Sequence, residues 1–271
     1  MSLSAVTEHS PGGREGSANC PLCQARFNQR RRAAVFRRCD SCGLLVRNAA
    51  LTTAEIKRLY RGSWSRPETA RSETGGTELI HSRVYARDLA KTLGRSDFRG
   101  LKLCDFGAGR GAMVEALTEL GAEVYAIEPF GYDFLSSRGL RAFRSLDELP
   151  AGLLFDGVVS ISVLEHLAAP WCDLARLRSR LKPGGFAWLT TPNAAGLTAR
   201  VAGKRWREAL RPGHLTLLTP STMERILREA GFASFRRLKW LVGYRRGPRK
   251  FLIYMLQAVG WDGELRYLAA N

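Results

Sequence analysis

The chain has 271 residues, 45% of them apolar, enough for one ordinary domain and a small second one with real cores. No run reaches the ~18 uninterrupted apolar residues of a bilayer span, and Met1 to Gly16 lacks an apolar h-region, so neither a span nor a signal peptide is expected and the cytoplasm is the expected compartment. The formal charge of +17 gathers in arginine-rich runs at 26–38, 200–211 and 236–250; it suits an anionic partner (nucleic acid, a phosphorylated small molecule or an acidic membrane surface) or the solvated faces of an arginine-rich chain.

In chain order, residues 1–16 read as a disordered tail. A zinc ribbon is expected over 17–48, from Cys20-Pro-Leu-Cys23, fifteen intervening residues and Cys39-Asp-Ser-Cys42-Gly43. Each C-x-x-C turn can aim two thiolates at one ion, and two turns complete a tetrahedral S4 set. The nearby arginines favour the thiolate form. A segment of about 25 residues buries too little apolar surface to fold unaided. Structural zinc supplies roughly 10–16 kcal/mol in comparable modules. Cys20, Cys23, Cys39 and Cys42 are therefore expected to hold one structural Zn2+ with no open position. Redox-active pairs or disulfides are the alternative reading of this spacing. Cys104, inside an apolar strand, and Cys172, near a helix start, read as small buried hydrophobes.

Residues 49–96 read as a helical linker or cap. From 97 to 240 strand and helix signals alternate, as in a doubly wound parallel α/β sheet. Strands are expected at Leu101–Phe106, Glu123–Ile127, Leu140–Phe143, Phe155–Ser162, Phe186–Thr191 and Phe232–Leu238. Helices are expected from Ala112, after Gly131, over Pro170–Leu181 with a break at Lys182-Pro-Gly-Gly185, and over Pro220–Ala230. Gly107-Ala-Gly-Arg-Gly111 lies between the first strand and its helix, where glycines let a backbone approach a ligand closely. Alone that loop could serve a dinucleotide. Glu128, at the tip of the second strand, stands where a carboxylate meets ribose hydroxyls in such folds. Residues 241–271 read as a basic and apolar extension, with Phe251-Leu-Ile-Tyr-Met-Leu256 and Trp261 either packed on the body or lying as an interfacial helix.

Taken together these motifs resemble a known family. Leu103-Cys-Asp-Phe-Gly-Ala-Gly-Arg-Gly111 is similar to the first motif of class I S-adenosylmethionine methyltransferases, and Ala126-Ile-Glu-Pro129 looks like their ribose-binding strand end. Phe155 to His166, Leu181-Lys-Pro-Gly-Gly185, Thr191-Pro-Asn193, His214, Ser221 to Leu227 and Gly231-Phe232 resemble the ubiquinone-O-methyltransferase-like branch. The resemblance covers roughly 98–240. With the cysteine pairs it narrows to members with an N-terminal zinc ribbon, which act on sugars, lipids or natural products. It implies a Rossmann-like domain binding S-adenosylmethionine through Asp105, Gly107, Gly109, Gly111, Glu128 and Ser162. Phe130 would flank the adenosine, and Leu146 with Asp147 would sit near the adenine. A helix or turn cap is the alternative reading for Asp105, and plain core packing for Phe130. Tyr85 is expected to help cover the cofactor.

The same resemblance sets Glu165 and His166 beside the cofactor crevice. Histidine suits a general base because its pKa lies near working pH; a structural histidine is the plainer reading. Some relatives bind a divalent metal through E-x-x-E-H here. In this chain Ser162 holds the first position, so no such ion is expected. His214 and Trp206 are expected to line the acceptor pocket. The expected activity is methylation of a small, anionic or neutral molecule, chiefly at oxygen. An RNA methyltransferase and a non-catalytic nucleic-acid-binding ribbon protein are the alternatives.

Overall fold

The computed structural model describes residues 18–27, 35–48, 51–64, 72–238 and 255–271. The expected tail at 1–16, much of the first and third basic runs, and residues 251–254 lie outside them.

The core is a seven-stranded sheet: β3 (Lys102–Phe106), β4 (Glu123–Ile127), β5 (Ala142–Phe143), β6 (Phe155–Ile161), β7 (Leu181–Pro192), β9 (Ser234–Arg237) and β10 (Glu264–Ala270). Its order is β5-β4-β3-β6-β7-β10-β9. The first five strands run parallel, and β10 is antiparallel to both β7 and β9. Beta-strands 3 and 6 are buried along most of their length because helices cover both faces, so they read as nearly continuous apolar runs. From β3 the chain winds one way through β4 and β5, then returns to the other side through β6. That reversal opens a crevice at the carboxyl ends of β3 and β6.

Helices α1 (Thr53–Trp64) and α2 (Ser72–Thr92) precede the sheet. Helix α3 (Ala112–Glu119) starts right after Gly111 and buries Met113, Val114, Ala116 and Leu117. Helix α4 (Tyr132–Ser137) follows β4, and α5 (Pro170–Arg178) precedes β7. Short helices α6 (Leu197–Ala202) and α7 (Arg207–Leu210) lead to β8 (Thr216–Leu217), and α8 (Pro220–Glu229) is capped by the Thr219 side chain.

Three expectations are corrected. Lys182-Pro-Gly-Gly185 does not break a helix. Helix α5 ends earlier, at Arg178, and those residues already belong to β7, which bulges opposite Phe155 and Gly157. Gly157 is required there, since a Cβ on it would meet the Phe186 ring at 2.2 Å. The supposed extension at 241–271 ends in β10, a strand inserted into the sheet. Asn193 anchors its arrival: its side-chain amide donates to the carbonyls of Gly260 (3.1 Å) and Asp262 (2.8 Å). The ribbon is not a free-standing unit either. Its strands β1 (Phe36–Arg38) and β2 (Leu45–Arg47) form a three-stranded sheet with β8, and Leu22, Phe27 and Leu44 share a core with Leu218, Met223 and Ile226. No described helix is long and apolar enough to cross a membrane.

Candidate functional site

The glycine loop after β3 carries left-handed backbone at Gly107, Gly109 and Gly111 (φ 81°, 53° and 83°), a region that favours glycine. A Cβ at Gly107 would strike Val163 at 2.3 Å, whereas one at Gly109 would meet nothing within 4 Å. Gly107 thus seats the loop against the end of β6, and Gly109 faces open space. Glu128 is buried, and its carboxylate gathers the loop: Oε2 accepts from Gly109 N–H (2.9 Å), Oε1 from Phe130 N–H (2.9 Å) and Gly131 N–H (3.3 Å). Burial raises its pKa, against those three amides. A carboxylate offers about four lone-pair sites, so acceptor capacity remains.

Asp105 lies inside β3 at 2% exposure, and its Oδ2 has no partner among the described residues. Burial, aided by the Glu128 charge, pushes its carboxyl up to about 7. A buried, unpartnered carboxyl oxygen beside an open glycine turn is what a ligand carrying hydrogen-bond donors or positive charge would satisfy. The loop, the acidic strand tip and Asp105 therefore fit S-adenosylmethionine, which brings ribose hydroxyls, an ammonium and a sulfonium.

The other expected residues on this side differ in placement. Phe130 is stacked face to face on Tyr60, with centroids 4.3 Å apart and a 7° interplanar angle. Leu146 is buried in a 3-10 turn after β5, while Asp147 points outward to an ion pair with Arg176 at 2.5 Å. Ser162, just past β6, is exposed and in a left-handed conformation (φ 54°), an unusual state for a serine. The Tyr85 hydroxyl donates to Glu264 (3.0 Å) and its ring meets Trp188 edge-on, joining α2 to β10 and β7.

Across Tyr60 lies a second cluster, of Glu165, His166 and His214. Glu165 is 1% exposed; its Oε2 accepts from the Thr191 hydroxyl at 2.9 Å, and burial pushes it up to about 8. His166 Nδ1 lies 2.9 Å from the Gly213 carbonyl and 2.7 Å from the Tyr60 hydroxyl. The rings of His166 and His214 meet edge to face at 4.7 Å. His214 is fully buried, and neither ring nitrogen has a hydrogen-bond partner among the described residues. Burial, with the neighbouring His166 and Arg211, pushes it down to about 3. Burial also lowers His166, so both rings are neutral near pH 7. Trp206, expected here, instead packs with Phe36, Ala199 and Leu217, where it braces the ribbon.

Three contributors escaped the sequence reading. Tyr60 comes from α1 and carries no local motif. Glu208 approaches His214 Nε2 at 4.0 Å from within a basic run. Arg47, on β2 of the ribbon, donates to the carbonyls of His214 (2.6 Å) and Arg211 (2.5 Å).

In the ribbon each C-x-x-C closes a tight turn, with Gln24 N–H donating to Cys20 O and Gly43 N–H to Cys39 O. One sulfur from each cysteine lies within 4.8 Å of all the others, with Cys20 to Cys42 at 3.6 Å and Cys23 to Cys39 at 3.5 Å. Tetrahedral Zn–S bonds of ~2.3 Å put sulfurs roughly 3.8 Å apart, so the donor set fits zinc. None of the four is in a disulfide. Cys104 is fully buried in β3, and Cys172 is half-buried on α5.

Comparison with known proteins agrees with this frame. A family described as methyltransferase domain matches residues 78–234, more than half of the chain. The ubiquinone biosynthesis O-methyltransferase of Cereibacter sphaeroides is 30% identical over 163 residues, covering 54% of this chain and 65% of that protein. Its counterpart in Dinoroseobacter shibae is 29% identical, covering 54% and 64%. The chain thus spans just under two thirds of the length of these relatives. Among solved structures, a possible histamine N-methyltransferase from Thermotoga maritima superposes with a TM-score of 0.54 at 15% identity, covering 79% of this chain and 99% of that one. The Burkholderia thailandensis 1,6-didemethyltoxoflavin-N1-methyltransferase, with bound S-adenosylhomocysteine, gives 0.51 at 19% identity, covering 86% and 96%. At those identities the likeness is one of fold. On its family match, its motifs and its sheet order, the chain belongs to the class I S-adenosylmethionine-dependent methyltransferases.

Proposed function

We propose that this protein transfers a methyl group from S-adenosylmethionine to a hydroxyl of a small molecule such as a sugar, a lipid or a secondary metabolite. The observation that carries the reading is the pairing, across Tyr60, of the Glu128-bound glycine loop with a buried Glu165, His166 and His214 cluster. The sulfonium supplies a methyl already activated for transfer. Asp105 and the open face of Gly109 receive its polar groups, while Gly107 and Gly111 shape the turn. Glu128 offers its remaining lone pair to the ribose. Phe130 flanks the adenosine, with Leu146 and Asp147 at the adenine end, and the exposed backbone of Ser162 closes the β6 side. Holding donor and acceptor in line accounts for much of the rate.

His166 acts as the base. Its Nδ1 faces a carbonyl and therefore keeps the proton, leaving the Nε2 lone pair to accept the acceptor's hydroxyl proton as the methyl leaves the sulfur, which departs as a neutral thioether, and the O–CH3 bond forms. Glu165, held neutral by burial, and His214 shape the acceptor pocket. The ribbon holds one structural Zn2+ through Cys20, Cys23, Cys39 and Cys42, and the protein works in the cytoplasm, where thiols stay reduced. Incubation with labelled S-adenosylmethionine and fractionated host extract tests the reading. Label in a small-molecule or lipid fraction, stable to base as an ether is, is expected. Label confined to RNA or protein would overturn it.

A further inference from the structure

We propose that Tyr60 is a positioning residue that holds His166 as the Nδ1–H tautomer and links the acceptor side to the cofactor loop; the proposal rests on the reading of His166 as the base. Three contacts on α1 carry it. The Tyr60 hydroxyl lies 2.7 Å from His166 Nδ1, its ring stacks on Phe130 at 4.3 Å, and its edge faces the His166 ring at 5.9 Å. The Gly213 carbonyl, 2.9 Å from the same nitrogen, can only accept. The Nδ1 proton is therefore fixed, and the Tyr60 oxygen serves as its second acceptor. A Cβ at Gly213 would come within 3.2 Å of Nδ1 and 3.4 Å of the Tyr60 hydroxyl, so the Gly213 backbone packs closely on both groups.

When Nε2 takes up a proton, the imidazolium donates more strongly through Nδ1 to both oxygens. Removing one of them weakens the base. The other groups facing His166 are Glu165 beside it, Glu208 on α7, Arg211 and His214 on the following loop. Glu208 favours the charged ring and Arg211 opposes it; neither contacts Nδ1. Tyr60→Phe keeps the ring on Phe130 and deletes only the oxygen.

The test is a histidine-labelled proton–nitrogen spectrum of the full chain, titrated with pH, with the His166 signal assigned by its loss in His166→Gln. The wild type should show the Nδ1–H form. In Tyr60→Phe the His166 midpoint should fall by about one pH unit, while S-adenosylmethionine affinity stays as it was. Tyr60→Ala should lower the midpoint equally and weaken S-adenosylmethionine as well. An Nε2–H signal in the wild type, or an unmoved midpoint in Tyr60→Phe, would overturn the proposal. These readouts need no acceptor. Absence of S-adenosylmethionine binding by the wild type would instead sink the methyltransferase reading.

Discussion

The two sides of the crevice are built in opposite ways. The cofactor side is contiguous: Asp105, the three glycines, Glu128 and Phe130 fall between β3 and α4, and the bonds from Glu128 all end on nearby backbone amides. The acceptor side is assembled from distant pieces: Tyr60 from α1, Glu165 and His166 from the end of β6, Glu208 and His214 from around α7, and Arg47 from the ribbon. The first is fixed by local turn geometry. The second exists only once the whole chain is folded, so its chemistry can be tuned by parts that touch no ligand.

The sharpest separation of the two sides comes from His166→Ala. It should lower the methylation rate at least ~100-fold, the usual scale for a positioned base, with S-adenosylmethionine binding little changed by calorimetry. A normal rate would remove the base and leave alignment alone as the mechanism. Glu128→Ala works the other side. It should weaken S-adenosylmethionine by roughly one to two orders of magnitude, since the lost carboxylate orders the loop and, on the proposed reading, receives the ribose. Equal affinity would mean the loop holds its shape without that anchor.

Zinc tests whether the ribbon belongs to the acceptor side. Metal analysis should find one zinc per chain. Cys39→Ser should abolish it and raise the acceptor KM about tenfold or more, because Arg47 then loses its grip on the Arg211 and His214 carbonyls. A near-zero zinc content in reduced, folded protein would sink the metal assignment. Arg47→Ala isolates that grip. Zinc should stay bound and the acceptor KM should rise by a smaller factor, of about threefold to tenfold.

The last effect is thermodynamic and lies within the cofactor side. The folded-state pKa of Asp105, about 7, stands above its ordinary value of 3.8, so the folded ligand-free protein binds the extra proton. Stability from this group is full below about pH 4 and is lost as pH rises through about 7. Asp105→Asn should therefore gain stability over the wild type progressively across that window in urea unfolding, by at most about 1.4 kcal/mol per unit of pH. Parallel curves would show that the carboxyl is better solvated than its burial implies.

What could be read from the sequence follows the same division. The glycine loop, Glu128 and the paired cysteines were legible because each is a short pattern whose spacing fixes its own turn. Glu165 and His166 were legible through their place after β6. Tyr60, Glu208 and Arg47 were not, since nothing near them in the chain announces a partner on another element. Trp206 was assigned to the acceptor pocket and instead packs against the ribbon, because its apolar neighbours come from distant elements. Beta-strand 10 was missed because an antiparallel strand between β7 and β9 depends on pairing across the chain, and its residues show no clean alternation.

Beta-strand 8 has two residues, yet it pairs with β2, and Leu218 just beyond it bridges to Asn193 at the end of β7. Its consequence concerns the order of folding events. The contacts of Leu45 with Leu217 and of Val46 with Thr216 join the start of the chain to its last third, and such distant closures come late. The ribbon segment is made well before β8 and finds its permanent neighbours only after α8 has emerged. Until then its four thiols have each other and, on the proposed reading, a zinc ion. Early ion capture would shield them from oxidation and aggregation while the rest of the chain is being synthesised.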